Sequence, residues 1–484
     1  MTSFLRCLPF LTGLALAAPP DMLRLEDGSI EGSFAGIDQE GRLLWNRDDS
    51  EKPLEFRTDK IRHIALRGGS PARTTSELSH VTLTNGDALP GHLVAMTDTL
   101  VEMETALVGD ISIPRENVVS IEPNPFGGRL IYAGPFDDSG WEMITPDTDD
   151  PERLEETEDQ DATWIHSGAH WYYTGGREAI RKSVEMPDQS VFRFHVDWKS
   201  RPPLSIAFLA DFAQAPAWDE KEAPEDEADQ AMRSRPDQLT AAFGNCLVLS
   251  VRPTFASLQH CGYDKDGRAF SRMIRSAVST VRFEESGQAD FELRTDLKKR
   301  SATLFVDGAY MLHWDLSEEL KESPLGRGIG FLVPGNNEPL RISDILVAEW
   351  NGMPDAARSL HHPDRDLVLL TNGTDRFSGK VVDMRDGDLR LATSYAELTI
   401  PLDQIAEIQL AGQAETLEAA GKKKDLMIHF KPVGRVTGQV TESTSSEVNL
   451  RSPVLGDLKV DLSAACLLEF HKGGRFLQTW DDDL

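Results

Sequence analysis

The feature that most constrains the fold is an alternation of apolar and polar residues between Val278 and Leu316. It occurs in three runs, whose apolar members are Val281 and Phe283, then Phe291 and Leu293, then Ala302, Leu304 and Val306. The third run leads into Asp307-Gly308, a dipeptide that favours a two-residue hairpin turn. Because a period of two places successive side chains on opposite faces of a strand, the pattern predicts half-buried antiparallel strands joined by hairpins.

Two other segments repeat one another in register. The tetrapeptide Leu83–Gly86 recurs as Leu370–Gly373, and Ile113-Pro114 recurs as Ile400-Pro401 at the same offset. A further copy opens with LRLEDG, and another keeps the apolar spacing but lacks the Asn-Gly pair. Self-similarity of this kind indicates repeated structural units, three of them clear and one degenerate.

We predict these repeats over residues 22–67, 79–123, 365–410 and 424–472. Each is expected to contain five short strands, the fourth ending at Ile-Pro in two copies because proline cannot donate to a sheet ladder. Five such strands are too few for a sandwich with much core, but they can curl into a small closed barrel. The strand count and spacing resemble the SH3-like and Sm-like small β-barrels. The resemblance implies four small barrels, two on each side of the central region.

The central region, residues 128–352, has about a dozen strand-like runs and almost no helical periodicity, which predicts a two-sheet sandwich. Its most specific residues are Phe291-Glu292-Leu293, Thr303–Gly308, Gly328–Phe331 and Ile342–Trp350. They resemble the concanavalin A-like jelly rolls of the laminin-G and glucanase types, and the bacterial 3-keto-disaccharide hydrolase-like domains. The resemblance implies an all-β chain in which a jelly roll, with its first and last strands side by side, is inserted between repeats.

The charge balance limits the classes of partner. The 484 residues include 80 acidic and 50 basic side chains, which gives a formal net charge of -30. A strongly acidic chain is a poor ligand for nucleic acid or for an anionic membrane surface. The excess of acidic residues therefore indicates solubility, and no nucleic-acid partner is expected.

The first 18 residues resemble a cleaved secretory signal peptide. Arg6 precedes an apolar run that ends in Ala15-Leu16-Ala17, and the run is too short for a stable membrane span. Cys7 lies before most of this run, whereas a lipid-attachment cysteine would follow it. We therefore expect export without a lipid anchor, to the periplasm, the cell surface or the medium, and no later span.

Three cysteines remain after the signal peptide. Cys246 and Cys261 flank a hairpin-like stretch that turns near Arg252-Pro253, so they are expected on neighbouring strands. They form either a disulfide or two reduced core thiols. Cys466 lies in an apolar stretch and is expected to be buried.

Aromatic residues are the clearest pointer to a ligand. Seven of the nine tryptophans fall in the central region. In the segment Trp171-Tyr172-Tyr173 neighbouring rings must point to opposite faces of a strand. Flat rings stack on sugar faces, so Trp171 and Tyr173 are the candidate ligand-binding residues, with core packing as the alternative.

Two further patterns concern metal ions. Asp264 and Asp266 in GYDKDGR could supply oxygen ligands to calcium, although Asp-x-Asp-Gly is equally typical of a hairpin turn. His166 and His170 have the spacing of a helical zinc pair, but Gly168 and the flanking aromatic residues argue against a helix. Calcium is therefore the one cofactor that these patterns leave open, and none is required.

No set of catalytic residues is predicted. Jelly-roll glycosidases use acidic residues on alternate positions of one strand. Asp290 and Glu292 have that spacing, but they lie opposite the apolar face of their strand and are expected to point to solvent. We therefore expect an exported, non-catalytic binding protein, with glycan as ligand of the jelly roll. The alternatives are a saccharide-acting hydrolase and a structural or assembly protein of the cell envelope that binds another envelope protein.

Overall fold

The computed structural model confirms an all-β chain with several antiparallel sheets. It describes residues 20–25, 28–69, 71, 79–123, 129–146, 163–200, 203–214, 236–265, 267–275, 287–317, 325–334, 339–350, 364–372, 375–412, 425–431 and 433–470. The predicted signal peptide therefore lies outside the described residues. Within them, no helix is long and apolar enough to cross a membrane.

The N-terminal part contains two groups of five strands. Group one is β1 (Asp21–Leu25), β2 (Gly28–Ile37), β3 (Arg42–Asn46), β4 (Leu54–Arg57) and β5 (Ile61–Ala65). Group two is β6 (Ser79–Leu83), β7 (Ala88–Met96), β8 (Leu100–Thr105), β9 (Gly109–Pro114) and β10 (Val118–Glu122). In both groups the strands pair antiparallel in the order fifth, first, second, third, fourth. A short 3-10 turn connects the fourth strand to the fifth.

The central region forms two facing sheets. Its strands are β11 (Leu130–Gly134), β12 (Trp141–Ile144), β13 (Trp164–Ser167), β14 (His170–Tyr173), β15 (Ala179–Lys182), β16 (Gln189–Trp198), β17 (Leu204–Ala210), β18 (Cys246–Arg252), β19 (Phe255–Tyr263), β20 (Ala269–Ile274), β21 (Gly287–Asp296), β22 (Ser301–Val306), β23 (Ala309–Asp315), β24 (Gly328–Leu332) and β25 (Leu340–Glu349). The eight-stranded sheet has the order β13-β14-β25-β16-β21-β22-β23, with β11 paired to β25. The seven-stranded sheet has the order β12-β15-β24-β17-β18-β19-β20. The first and last strands of the region are thus neighbours, as expected.

The C-terminal part repeats the five-stranded arrangement twice. Group three is β26 (Asp366–Leu370), β27 (Arg376–Arg385), β28 (Asp388–Ala392), β29 (Glu397–Pro401) and β30 (Ile405–Gln409). Group four is β31 (Asp425–Phe430), β32 (Arg435–Ser443), β33 (Glu447–Ser452), β34 (Gly456–Asp461) and β35 (Ala465–Phe470). The strand order is the same as in groups one and two.

The four groups pair with one another in a nested way. In group one β5 pairs with β35 of group four, and in group two β10 pairs with β30 of group three. Their buried apolar residues form one continuous cluster. Among the described strands no ladder joins the fourth to the fifth strand of a group, so closed barrels and their domain boundaries stay predictions.

The hairpin predicted at Asp307-Gly308 is confirmed. Val306 and Ala309 are paired, and the two intervening residues have φ of 49° and 73°. Positive φ at both positions is the geometry that follows the right-handed twist of the flanking strands. The runs at Phe291 and Ala302 form β21 and β22, whereas Val281 and Phe283 lie outside the described residues.

Candidate functional site

Alternation along the strands gives the eight-stranded sheet one apolar face and one polar face. On β16, Phe192 and Phe194 point into the sandwich core, while the alternate residues Arg193 and His195 lie on the opposite side. The same alternation makes Glu292 on β21 point away from the core. We call this outward side of β14, β25, β16, β21, β22 and β23 the polar face.

One row of side chains crosses the polar face from strand to strand. Arg193 pairs in register with Glu292, Glu292 with Phe305, and Phe305 with Tyr310. The carboxylate of Glu292 accepts hydrogen bonds from Nε of Arg193 and, at 2.5 Å, from Nε of Arg294. Polar groups held in this way have fixed directions, because each is oriented by a charged partner.

Aromatic rings complete the row at its outer end. The Arg294 guanidinium lies 4.7 Å from the ring centroid of Phe305 and 5.5 Å from that of Trp350. Tyr310 contacts Phe305 edge to face, with 6.0 Å between centroids, and is 56% exposed. A free aromatic surface therefore adjoins fixed hydrogen-bonding groups.

A second charged cluster lies beside this row. His195 Nδ1 lies 2.7 Å from Oδ1 of Asp290, and its Nε2 lies 3.6 Å from Oδ2 of Asp197. Burial alone would lower the pKa of His195, but hydrogen bonds to the two carboxylates and their charges raise it to about 10. His195 is therefore a cation at neutral pH, and Asp290, with a side chain 73% exposed, is the accessible member of the cluster.

The rest of the polar face is covered by the five-stranded groups. Glu469 of β35 lies 2.7 Å from Nε2 of His429 and 3.7 Å from Nδ1 of His170 on the sandwich. Burial would raise the pKa of Glu469, but the charges of His429, His170 and His63 lower it well below its usual range. The contact between sandwich and repeats is thus rich in histidine and is centred on the carboxylate of Glu469.

A cleft of about 260 Å³ opens where group two, group four and the sandwich meet. Its lining comprises Thr82, Gly86, Ala88, Ala133, Gly134, Phe136, Asp344, Ile345, Leu346, His429, Val433, Gly434 and Arg435. Leu346 pairs with Arg193 across β25 and β16, so the cleft adjoins the covered end of the polar row. The sequence patterns gave no signal for it, because its walls come from three distant segments.

The two aromatic residues predicted to bind ligand lie in the sandwich core. Trp171 is 5% exposed and Tyr173 is fully buried. Trp171 packs against Trp141 at a centroid distance of 5.7 Å, and the Tyr173 hydroxyl donates to the carbonyl oxygen of Gly176. Neither ring has a face open to a sugar, because β14 turns these alternate positions inward and leaves His170 and Tyr172 on the polar face.

Of the two predicted calcium ligands, Asp264 alone lies within the described residues. Asp264 accepts a hydrogen bond from the backbone N–H of Arg268, which is a turn-stabilising contact, and Asp266 lies outside the described residues. Throughout the described ranges, no group of three or more His, Cys, Asp or Glu side chains is placed to hold a metal ion. His166 and His170 lie on two strands of a hairpin rather than on a helix.

The predicted cysteine pair does come together. Cys246 and Cys261 are directly opposite on β18 and β19, and both are buried free thiols in this structure. Burial raises the pKa of Cys246 well above its usual range. The disulfide stays a prediction. Cys466 is buried, as expected.

Comparison with known proteins gave only distant structural similarities. No protein-family model matches the chain, and no curated protein matches it. A Bacillus subtilis protein of unknown function with a galectin-like fold has 16% identity and a TM-score of 0.29, and covers 46% of this chain and 96% of its own. The carbohydrate binding module CBM66 from Bacillus subtilis has 9% identity, coverage of 43% and 96%, and a TM-score of 0.24. The potassium-bound carbohydrate recognition domain of Emp46p has 12% identity, coverage of 45% and 96%, and a TM-score of 0.26. Similarities of this size carry no functional argument.

Proposed function

We propose that this chain is a glycan-binding protein whose ligand lies on the open part of the polar face. The observation that carries the proposal is the row Arg193, Glu292, Phe305 and Tyr310 across four neighbouring strands. A sugar ring presents hydroxyl groups at its edge and C–H groups on its face, so fixed polar groups beside an aromatic ring suit it. The row supplies both, and exposed Asp290 adds a further acceptor.

The saccharide-hydrolase alternative requires a carboxylic acid that donates a proton beside a second carboxylate. Here Glu292 accepts guanidinium N–H groups from two arginines, and Asp290 is held by His195. Both carboxylates thus accept hydrogen bonds from basic side chains, an arrangement that suits hydrogen bonds to hydroxyl groups better than proton donation. Binding is therefore the better supported of the two functions.

A structural role in the cell envelope is the second candidate. It is favoured by the nested ladders β5–β35 and β10–β30, which tie the repeats to one another around the sandwich. In this proposal residues 1–18 direct export, and the repeats act as SH3-like or Sm-like barrels that contact another envelope protein. Glycan binding and assembly are compatible, because they use different surfaces.

The test is a glycan array with the full chain, followed by calorimetric titration of the strongest ligand. A stacking tyrosine contributes about 1 kcal/mol, so Y310A should weaken binding roughly fivefold to tenfold. The matched control is Y395A, since Tyr395 is likewise exposed but lies in group three, between β28 and β29. Absence of glycan binding, or equal affinity of Y310A and Y395A, would refute the proposal.

A further inference from the structure

The cleft between group two, group four and the sandwich is bordered by one acidic side chain, that of Asp344. Asp344 lies at a bulge in β25, where the register to β16 shifts between Arg193 and His195, and its φ is 49°. Bulges re-aim side chains and are common beside functional sites. Asp344 is exposed although it lies between three packed parts of the molecule, because its side chain borders the cleft.

The carboxylate of Asp344 has no hydrogen-bond or salt-bridge partner in the part of the chain that the structure describes. Burial would raise its pKa, but the charges of Arg435, His195, His170 and His429 lower it. It is therefore an ionised acceptor that faces the cavity without a fixed partner. A carboxylate of this kind suits a cationic ligand atom.

Arg435 provides the opposite charge in the same cleft. Its Nε donates to the carbonyl oxygen of Gly86 at 2.7 Å, which fixes the plane of the guanidinium group. Over the described ranges its two terminal nitrogens have no further partner, and no salt bridge joins them to Asp344. An oriented guanidinium with free N–H groups suits a carboxylate.

Apolar side chains form the remaining walls. Phe136, Leu346 and Val433 line the cleft together with small residues, whereas the side chain of Ile345 is buried in the sandwich core. Drug-sized ligands occupy pockets of about 300–1,000 Å³. A cleft of about 260 Å³ therefore suits a ligand with two charged ends and one short apolar branch.

We propose that this cleft binds a small zwitterion, namely an α-amino acid with an apolar side chain. Asp344 receives the ammonium group, the terminal nitrogens of Arg435 hold the carboxylate, and the apolar branch lies against Leu346 and Val433. The cleft meets the polar row only where Leu346 pairs with Arg193, and Tyr310 lies at the other end of that row, so the two proposals can fail independently.

Calorimetric titration of the full chain with L-leucine tests the recognition of both charges. The matched ligands are 4-methylpentanoate, which lacks the ammonium group, and 3-methylbutylamine, which lacks the carboxylate. Each should bind at least about tenfold more weakly than L-leucine, because each loses one charge-assisted contact. No binding of L-leucine at millimolar concentration, or equal binding of either analogue, would overturn the proposal.

The variant D344N tests the acidic end of the site without threatening the fold. Asparagine has the size of aspartate and tolerates positive φ, so the bulge should persist. The matched control is D386N, since Asp386 also has positive φ, at 52°, but lies in an exposed turn between β27 and β28. L-Leucine should bind D344N at least about tenfold more weakly than D386N. Equal affinities, with both variants folded by circular dichroism, would contradict the assignment of Asp344.

Discussion

Replacing His80 should make the free energy of unfolding of the chain less dependent on pH in the acidic range. His80 lies on β6, close enough to the sandwich for the charge of Arg193 to act on it. Burial, and then Arg193, lower the pKa of His80 from 6.5 to about 4. Between these two values the unfolded chain binds a proton that the folded chain does not. Stability must therefore fall as the pH falls through this window.

The magnitude follows from the width of the window. One such histidine makes the free energy of unfolding fall by about 1.4 kcal/mol per pH unit between pH 6.5 and pH 4. Its full contribution is about 3 kcal/mol over that window, and none of it is lost above pH 6.5. The variant H80Q cannot titrate, so its stability curve should be shallower in acid than that of the natural chain.

The assay is urea unfolding followed by tryptophan fluorescence at half-unit steps between pH 4 and pH 8. The free energies of unfolding of H80Q and the natural chain should differ by a constant amount above pH 6.5. As the pH falls below 6.5, H80Q should become more stable relative to the natural chain. The control is H92Q, because His92 is exposed on the adjacent strand β7. Parallel curves for H80Q and the natural chain would refute this account of the contact between β6 and the sandwich.

Two further predictions concern stability at neutral pH, measured by urea midpoints. G308A should lower the free energy of unfolding by about 1 kcal/mol. Gly308 has φ of 73° and open space around it, so an added methyl group meets no atom and only backbone strain acts. The control G28A should be neutral, because Gly28 also has open space but no positive φ. D366A should lower the free energy of unfolding by about 3 kcal/mol, because the buried carboxylate of Asp366 forms a salt bridge of 2.6 Å with Arg115 of group two, and its removal would leave that guanidinium uncompensated. The control D49A removes only an exposed salt bridge and should have little effect. A neutral D366A would show that groups two and three do not depend on this contact.

The parts of the fold that local patterns determine were predictable. Alternation in β21 and β22 and the Asp307-Gly308 turn are consequences of strand geometry and of glycine's tolerance of positive φ, both of which act over a few residues. The repeats were recognisable because the same offsets recur, and Pro114 and Pro401 do end their strands. The pairing of β11 with β25 followed from the jelly-roll resemblance rather than from either strand's own sequence.

The orientation of a strand was not predictable from its alternation alone. On β14 the residues Trp171 and Tyr173 share one face and His170 and Tyr172 share the other. Both faces contain aromatic rings, so the residue types do not say which face enters the core. Packing against Trp141 and the core decides it, and that contact spans the two sheets. For the same reason Asp290 and Glu292 were expected in solvent, although Glu292 is held between two arginines.

The polar outer face of the sandwich is the surface against which group four docks. Within this face Arg341 donates from Nε to Asp197 at 2.9 Å, and Nδ1 of His170 lies 3.7 Å from Glu469 of β35. Polar side chains of the sandwich are therefore matched with polar partners where the repeats contact it. Burial and the charge of Arg341 lower the pKa of His170 to about 4, so this docking is favoured at neutral pH and opposed in acid. The covered part of the polar face thus contacts the repeats, and the part from Asp290 to Tyr310 is the surface to which we propose that a glycan binds.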